Sequence, residues 1–212
     1  MNKLSDIRRE YTKNTLSKEL LDANPHRQFE RWMEEALAAG SPEPTAMTLA
    51  TVDAQGMPNC RVVLLKEVSP NGFVFFTNYN STKGRELNDK AMAAMNFFWP
   101  EVERQVRIRG CIKRTTSDQS DAYFQTRPRA SQLGALASDQ SSVVENGKAL
   151  SDRFNALEQQ FNNRDIPRPA HWGGFILSPV SIEFWQGRAN RMHDRFQYTL
   201  KEGQWVIEQL AP

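Results

Sequence analysis

Three arginines, a histidine and an aspartate fall within eight consecutive residues near the end of this 212-residue sequence. In the segment RANRMHDRF they are Arg188, Arg191, His193, Asp194 and Arg195. Guanidinium groups bind anions and stabilise developing negative charge, and an imidazole can act as an acid or base near neutral pH. A solvated hairpin strand would carry the same residues, and their spacing alone leaves both interpretations open.

A second group of anion-binding residue types lies in the segment YFQTRPRAS. Tyr123 and Arg127 are four residues apart and would share one face of a helix, with Ser131 just beyond Pro128. A phenol, a guanidinium and a hydroxyl together suit a phosphate group. The alternative is a Tyr/Arg pair that stacks on the protein surface.

Two cations flank the apolar strand core of RVVLLK. Arg61 and Lys66 are five residues apart, so in a regular strand they point to opposite faces. One pocket could use both only through a bulge, an edge position or a subunit boundary. Two solvated cations at the ends of a strand are the other interpretation.

Three further residues have both a structural and a functional interpretation. Gln140 and Ser141 precede a helical segment, where serine is most often an N-cap. Trp185 in IEFWQG suits either the core or stacking against a cofactor.

Composition restricts the function classes. Hydrophobic residues make up 39% of the chain, which is enough for a sizeable core, and the net charge of +2 gives no general field for nucleic acid or an anionic membrane. The sequence has no signal-peptide pattern and no apolar window of about 18 residues, so we expect a cytoplasmic protein without a membrane segment. It also lacks the G-x-S-x-G, H-E-x-x-H, P-loop and G-x-G-x-x-G patterns.

The two cysteines, Cys60 and Cys111, have neither a C-x-x-C partner nor nearby histidines. We therefore predict no disulfide and no metal site, and expect buried free thiols.

Sequence patterns predict the elements that must position these side chains. A helix follows Asn24 and Pro25 and ends at Gly40, and an antiparallel meander of short strands begins at Met47. A short helix around STKGRELNDK, two strands, a helical region over 117–162 and a final group of strands follow. About eight strands with helices between them indicate an α+β domain over 21–212, an antiparallel barrel wrapped by helices, preceded by a polar arm over 1–20.

Taken in order, many short segments make the chain similar to one known family. They are RREYTK, PTAM, ATVD, RVVLLK, FFTN, ERQVRI, YFQTRPRASQLGA, QSS, HWGGF, IEFWQG and RMHDRF. Their order and spacing resemble the pyridoxine/pyridoxamine 5'-phosphate oxidases over nearly the whole chain. The resemblance implies an antiparallel split β-barrel that binds FMN between the two subunits of a homodimer. It also implies oxidation of the B6 vitamer phosphates to pyridoxal 5'-phosphate, with O2 as acceptor and H2O2 as product.

The resemblance assigns residues to both ligands. The implied FMN contacts are Arg61, Val62, Val63, Leu64, Leu65, Lys66, Phe76, Thr77, Thr82, Lys83, Gln105, Gln140, Ser141, Trp185 and Arg195. The implied substrate contacts are Arg8, Arg9, Glu10, Tyr11, Lys66, Tyr123, Arg127, Ser131, Arg191, Met192 and His193. Arg191 and His193 are the implied catalytic residues, and the arm that carries Arg8, Arg9 and Tyr11 is implied to close over the site as a lid.

One departure from the family pattern concerns the FMN phosphate. The usual SRK reads STK here, so Thr82 stands where an arginine is expected. A lost charge-assisted bond of roughly 1.5 to 3 kcal/mol would weaken flavin retention about tenfold or more, unless Arg85 or the Thr82 hydroxyl compensates.

Two functions of other classes stay open from the sequence. A barrel of this kind can be a non-catalytic carrier of flavin or pyridoxal phosphate, because a fold does not fix a function. A nucleic-acid-binding barrel is disfavoured by the near-neutral charge.

Overall fold

One antiparallel sheet organises the computed structural model, which describes residues 3–7, 9–144 and 146–212. Its nine strands have the order β2-β1-β5-β6-β7-β4-β3, and β8 pairs with β7 and β9 beyond this path. The strands are β1 (Ala46–Val52), β2 (Pro58–Leu64), β3 (Glu67–Ser69), β4 (Gly72–Asn78), β5 (Met92–Trp99), β6 (Arg104–Arg114), β7 (Trp172–Gln186), β8 (Asp194–Lys201) and β9 (Gln204–Leu210). The α-helices of the described residues are α1 (Pro25–Ala38), α2 (Thr82–Asp89), α3 (Ser117–Thr126), α4 (Arg129–Ala137) and α5 (Gly147–Gln160).

Helix α1 begins where its capping residues predict. The Asn24 side chain accepts the backbone N–H of His26 at 2.9 Å, and Pro25 occupies the first turn, where its missing N–H costs nothing. Phe29, Trp32 and Ala36 share one face of the helix and are fully buried. The predicted helix is confirmed.

The core lies between α1 and the concave side of the sheet. Phe29 packs edge-on against Phe73 and Phe97, with ring centroids 5.0 and 4.9 Å apart. In β6, Val106 and Ile108 point into this core while the neighbouring Gln105, Arg107 and Arg109 point outward, as the alternation of the sequence predicts.

The predicted meander is wrong in its topology. Strands β1 and β2 form one hairpin and β3 and β4 form another, but the two hairpins lie at opposite ends of the main strand order. Strands β5, β6 and β7 lie between them, because the long β6 and β7 take the central positions. The sheet has one strand more than the eight predicted, and the additional strand is the three-residue β3.

The segment RANRMHDRF is mostly a loop and not a strand over its full length, so the hairpin strand that its residues also suited is wrong before Asp194. Residues Ala189–Arg191 form a 3-10 turn, and Asn190 and Arg191 have φ angles of 56° and 61°. These left-handed conformations break an extended chain, so β8 begins only at Asp194.

Both cysteines are exposed in the single chain, so the expectation of buried thiols is also wrong. Cys60 lies on the outermost strand β2, and Cys111 is on the outward face of β6.

Helices α3, α4 and α5 cover a second, smaller core at one end of the sheet. Phe124, Leu133, Ile166 and Trp172 are its buried members. Within the described part of the chain, no helix is both long enough and apolar enough to cross a membrane.

Candidate active site

A cleft of about 690 Å³ opens beside the end of β2, strand β4 and helices α3 and α4. It brings together twelve of the residues that the resemblance implies. They are Arg61, Val62, Val63, Leu64, Lys66, Phe76, Thr77, Lys83, Tyr123, Arg127, Ser131 and Gln140. Leu65 is absent from the lining, because its side chain turns into the main core and is only 5% exposed.

Arg61 and Lys66 reach this cleft from the same chain. Strand β2 ends at Leu64, so the alternation of a regular strand no longer applies at Lys66. The backbone N–H of Leu65 bonds to the carbonyl of Thr45, and that of Lys66 bonds to the carbonyl of Val74, as the chain crosses from one hairpin to the next. This change of direction removes the difficulty that the five-residue spacing posed.

The charge of the cleft lining is strongly unbalanced. Four cations line it, Arg61, Lys66, Lys83 and Arg127, and none of its described lining residues is an aspartate or glutamate. A concave surface with several cations and no acid attracts anions. The cleft is therefore suited to phosphate groups.

Arg127 is the most informative of the four cations. Its guanidinium lies 4.5 Å from the ring centroid of Trp172, and its Nη1 atom is buried without a hydrogen-bond partner among the described residues. Burial lowers the pKa of Arg127, although the guanidinium stays protonated at neutral pH. A buried donor without a partner is costly, so this nitrogen points to an anionic ligand.

The proline after Arg127 explains its position. The expected shared helical face with Tyr123 is wrong, because α3 ends at Thr126 and Arg127 is extended, with φ −71° and ψ 146°. A residue before proline avoids the helical region, and here that turns Arg127 away from the helix axis. Tyr123 stays in α3, and its ring stacks on Phe76 with centroids 3.9 Å apart. Burial raises the pKa of Tyr123, so its phenol keeps the proton that it can donate.

Lys83 anchors a polar network at the other side of the cleft. Its Nζ donates to Gln140 Oε1 at 2.9 Å and to Thr77 Oγ1 at 3.3 Å. Burial and the neighbouring charge of Arg61 lower the pKa of Lys83, while Glu86 acts in the opposite direction. Gln140 lies in a loop ahead of α5, whose N-cap is Asn146, so neither Gln140 nor Ser141 caps that helix.

A second group of predicted residues lies elsewhere on the sheet. Gln105, Trp185 and Arg195 are direct partners across β6, β7 and β8, so their side chains share one face in a single row. Arg195 Nε donates to Glu183 Oε1 at 2.8 Å, and Nη1 donates to the carbonyl of Ala211 at 2.7 Å. None of the three lines the cleft.

His193 packs beside this row. Its ring centroid is 4.6 Å from that of Trp185 and 6.0 Å from that of Tyr11. The backbone N–H of Arg188 donates to His193 Nδ1 at 3.1 Å. Burial, followed by the charges of Arg191 and Arg195, lowers the pKa of His193 and keeps the imidazole neutral near pH 7. The proton of the neutral ring is then on Nε2.

The N-terminal arm is fastened to the same region by two carboxylates. Glu103 Oε2 accepts the backbone N–H groups of Thr12 and Lys13 at 2.8 and 2.9 Å, and Asp194 Oδ2 accepts that of Leu16 at 2.9 Å. Arg9 lies 3.6 Å from Glu103, and Glu10 accepts the backbone N–H of Asn190 at 3.3 Å. The predicted residue Arg8 lies outside the described residues.

Four predicted residues contact neither group closely. Arg191 and Met192 project from the loop and are exposed, and Ser141 and Thr82 are not part of the cleft lining. Arg85, the candidate to compensate for Thr82, donates from Nη1 to the carbonyl of Asn80 and is also exposed.

The sequence reasoning missed three buried glutamates. Glu86 pairs with Arg61 at 3.1 Å, Glu183 pairs with Arg195, and Glu103 holds the arm. A glutamate within the apolar run IEFW was a usable signal for Glu183, because a charge in a strand core needs a partner. Glu86 and Glu103 stand in polar segments and gave no such signal.

The two groups of predicted residues are far apart along β7. Phe76 of the cleft pairs with Gly174, and Trp185 lies eleven residues further along the same strand. At about 3.3 Å per residue this is roughly 35 Å of strand.

Comparisons with known proteins agree over the whole chain. A family model described as pyridoxamine 5'-phosphate oxidase matches residues 33–161, and one described as the pyridoxine 5'-phosphate oxidase C-terminal dimerisation region matches residues 172–212. The chain is 50% identical to a pyridoxine/pyridoxamine 5'-phosphate oxidase of Cyanothece sp., covering 99% of this chain and 98% of that protein. It is 52% identical to the protein of the same name from Neisseria meningitidis serogroup C, covering 99% of both chains.

Solved structures show the same fold. PhzG from Burkholderia lata, solved with tetrahydrophenazine-1-carboxylic acid, superposes with a TM-score of 0.90 at 28% identity, covering 95% of this chain and 100% of that one. A pyridoxamine 5'-phosphate oxidase-related, FMN-binding protein from Nostoc punctiforme gives a TM-score of 0.70 at 18% identity, covering 91% and 100%. The predicted α+β split barrel is confirmed. On this evidence, the chain belongs to the pyridoxine/pyridoxamine 5'-phosphate oxidase family.

Proposed function

We propose that two copies of this chain hold FMN between them and oxidise pyridoxine or pyridoxamine 5'-phosphate to pyridoxal 5'-phosphate, reducing O2 to H2O2. Membership of the family gives the oxidase reaction of B6 metabolism. The observation that supports the site assignment most directly is that Arg127 lines a cation-lined cleft while its buried Nη1 has no partner among the described residues.

The chemistry of the cleft fits two phosphate-bearing ligands. Arg127, Tyr123, Ser131 and Lys66 form one set of cations and hydroxyls, and Arg61 and Lys83 form a second set of cations. We assign the first set to the substrate phosphate and the second to the phosphate of FMN. The Phe76 and Tyr123 rings give the cleft an apolar wall suited to an aromatic ligand.

The row Gln105, Trp185 and Arg195 is assigned to the FMN of the other copy. In one chain the row lies far from the cleft along β7, so one chain is not expected to supply both groups to one ligand. The match of residues 172–212 to a dimerisation region supports a homodimer. A two-fold axis would create two equal sites, each with a cleft from one copy and a row from its partner.

FMN held by Arg61 and Lys83 of one copy and by the row of the other would supply a two-electron acceptor for the C4' carbon of the substrate, and O2 would restore it with formation of H2O2. With the amine substrate, water then replaces the nitrogen, which leaves as ammonia. The chain's part is positioning and electrostatics. Arg127 and its neighbours fix one end of the substrate through its phosphate. From the other copy, His193 would present its Nε2–H to the polar groups of the pyridine ring, and Arg191 would stabilise negative charge that develops there.

Reconstitution tests this function. The purified protein is stripped of any flavin, titrated with FMN, and then mixed without oxygen with pyridoxamine 5'-phosphate. We expect flavin absorbance near the visible maximum to bleach in one turnover and to return in air with release of H2O2. FMN binding without bleaching would instead identify a carrier, and failure to bind FMN would contradict the proposal.

A further inference from the structure

Glu86 lies directly behind the cleft and contacts Arg61, yet it does not line the cleft itself. Its side chain projects from α2 and is 7% exposed. Three side chains donate to its carboxylate. Thr51 Oγ1 is 2.5 Å from Oε2, Arg61 Nη2 is 3.1 Å from Oε2, and Asn59 Nδ2 is 3.1 Å from Oε1.

Thr51, Arg61 and Glu86 are each hydrogen-bonded to the other two. Arg61 Nη1 donates to Thr51 Oγ1 at 2.5 Å, and the same hydroxyl donates onward to Glu86. Arg61 Nη1 also donates to the carbonyl of Leu49 at 3.3 Å. The guanidinium is therefore held at both Nη nitrogens by groups of β1 and α2.

The remaining donors of Arg61 are those available to a ligand. A guanidinium has five N–H bonds, and the described contacts use two on Nη1 and one on Nη2. The Nε–H and one Nη2–H have no partner among the described residues. This leaves a two-donor set that matches two oxygens of a phosphate.

The carboxylate is ionised in this position. Burial raises the pKa of Glu86, but hydrogen bonds from Thr51 and Asn59 and the charge of Arg61 outweigh it and leave that pKa below its ordinary value. A charged, buried acceptor holds a long and flexible side chain more firmly than a neutral one does.

We propose that Glu86 is a positioning residue which, by its direct contact and through Thr51, fixes the Arg61 guanidinium so that its free edge meets the phosphate of FMN. This inference rests on the proposed function. It adds that phosphate affinity depends on a carboxylate which repels phosphate by its charge but favours binding by its control of Arg61.

The negative charge of Glu86 weakens FMN binding and its positioning of Arg61 strengthens it, so the test must separate these two effects. Glu86→Met keeps the volume and removes the acceptors, Arg61→Met removes the cation, and the double variant completes a cycle. The dissociation constants of the apoprotein for FMN and for riboflavin, which lacks the phosphate, are measured at about 0.15 M and at higher salt, where the field of Glu86 is screened.

We expect Glu86→Met to weaken FMN binding roughly tenfold or more in the native background and to leave riboflavin binding unchanged. In the Arg61→Met background the same substitution should have almost no effect on FMN. Thr51→Val should give a smaller loss, and Glu86→Gln should recover part of the affinity, since its carbonyl can still accept from Arg61. Glu158→Gln, an exposed glutamate of α5, is the matched control.

Equal losses in both Arg61 backgrounds, or equal losses for FMN and riboflavin, would overturn the inference, because they indicate general damage to the structure. FMN binding that stays unchanged or tightens in Glu86→Met would overturn it as well. If Glu86→Met does not fold, the dissociation constants of Thr51→Val decide: a loss for FMN alone supports the inference, and equal losses for FMN and riboflavin overturn it. Failure of the unaltered apoprotein to bind FMN would instead contradict the proposed function.

Discussion

Single side chains in this protein show how buried charge marks a ligand site. Arg61 and Arg195 each have a buried glutamate as partner, whereas the buried Nη1 of Arg127 has none among the described residues. A buried charge that lacks a protein partner is retained at a cost in stability. We therefore assign Arg127 to a ligand that takes the place of a protein partner, whereas Arg61 and Arg195 are held rigid by their glutamates where they would contact FMN.

Replacing Arg127 should separate substrate affinity from flavin content. We expect Arg127→Met to lower kcat/KM for pyridoxamine 5'-phosphate by roughly 10- to 100-fold, which corresponds to a charge-assisted bond of about 1.5 to 3 kcal/mol. Most of this loss should appear in KM. Steady-state kinetics with flavin quantified by absorbance measure both effects, and Arg27→Met, an exposed arginine of α1, is the control. A change in kcat alone would contradict a phosphate-binding role.

The loop residues Arg191 and His193 should behave differently. We expect Arg191→Ala and His193→Ala to lower turnover while FMN stays bound, because neither belongs to the cation group of the cleft. Stopped-flow measurement of flavin bleaching gives the rate of the chemical step, and the absorbance of the purified variants gives their flavin content. Loss of flavin together with activity in Arg191→Ala would rule out this division of roles.

His26 gives a prediction about pH and stability. Its ring stacks on Phe73 with centroids 5.5 Å apart, its Nε2 is buried without a partner among the described residues, and burial lowers its pKa. Below the ordinary value of about 6.5, the unfolded chain takes up a proton that the folded chain resists. Stability should therefore fall as the pH drops through this range.

Denaturant unfolding at pH 7.5, 6.5 and 5.5 measures this effect. His26→Phe should show a smaller loss of unfolding free energy on acidification than the unaltered chain, since the substituted ring has no proton to bind. An identical pH dependence in both proteins would show that His26 makes no contribution.

At the scale of elements, the packing of the arm on the loop after β7 depends on one glycine. A Cβ atom at Gly187 would lie 2.7 Å from Cγ of Tyr11 and 2.8 Å from its Cβ, so even alanine would push the arm away. Tyr11 also contacts Trp185 edge-on, with centroids 5.7 Å apart. The arm is thus positioned by a contact that only glycine permits.

We expect Gly187→Ala to release the arm without unfolding the domain. Trypsin should then cleave faster near Arg9 and Lys13, and KM should rise if the arm covers the substrate as the family resemblance implies. Gly147→Ala, whose added Cβ meets nothing within 4 Å, provides the control. Equal rates of cleavage in the two variants would contradict a role for this contact.

The sequence could predict those features of the elements that depend on neighbouring residues, and not those that depend on distant ones. The caps of α1 and the alternation of polar and apolar residues along β6 are local signals, and the structure agrees with both. The order of the strands depends on pairings between distant segments, so two hairpins were mistaken for a meander. The left-handed residues Asn190 and Arg191 carry no glycine signal, and their loop was mistaken for a strand.

The identity of many site residues could be predicted from the sequence, but their positions relative to one another could be predicted only in part. Twelve predicted residues do line one cleft, because the resemblance supplied them as a set. That Arg127 turns away from Tyr123's helix follows from Pro128, which was read as a helix breaker but not as a constraint on the residue before it. The separation of the cleft from Gln105, Trp185 and Arg195 depends on the path of β7 through the sheet, which no local pattern contains.

In the whole molecule, the distance between the cleft and the row Gln105, Trp185 and Arg195 makes the joint construction of one site by two copies testable. Arg127→Met damages the cleft and His193→Ala damages the region of the row, so each homodimer should have little activity when pyridoxamine 5'-phosphate is kept well below the KM of the Arg127→Met variant. In a dimer of one copy of each, one site carries both lesions and the other carries neither. Refolding the two variants together in equal amounts should restore about a quarter of the normal activity, because about half of the dimers are mixed and each has one intact site.

The control for this experiment is refolding each variant alone, which should restore nothing. Activity of the mixture no greater than the average of the separate variants would indicate that each site is built within one chain. The flavin content of the mixture distinguishes this result from a failure to dimerise, which size-exclusion chromatography would also detect.

The position of Trp185 makes the protein its own optical reporter. Its indole lies against His193 and Tyr11 and belongs to the row assigned to the flavin. Its emission should therefore respond to release of the arm, and should fall by energy transfer when a yellow chromophore binds nearby. The difference in fluorescence between the unaltered chain and Trp185→Phe isolates this signal from the other four tryptophans and follows both events in real time without a label.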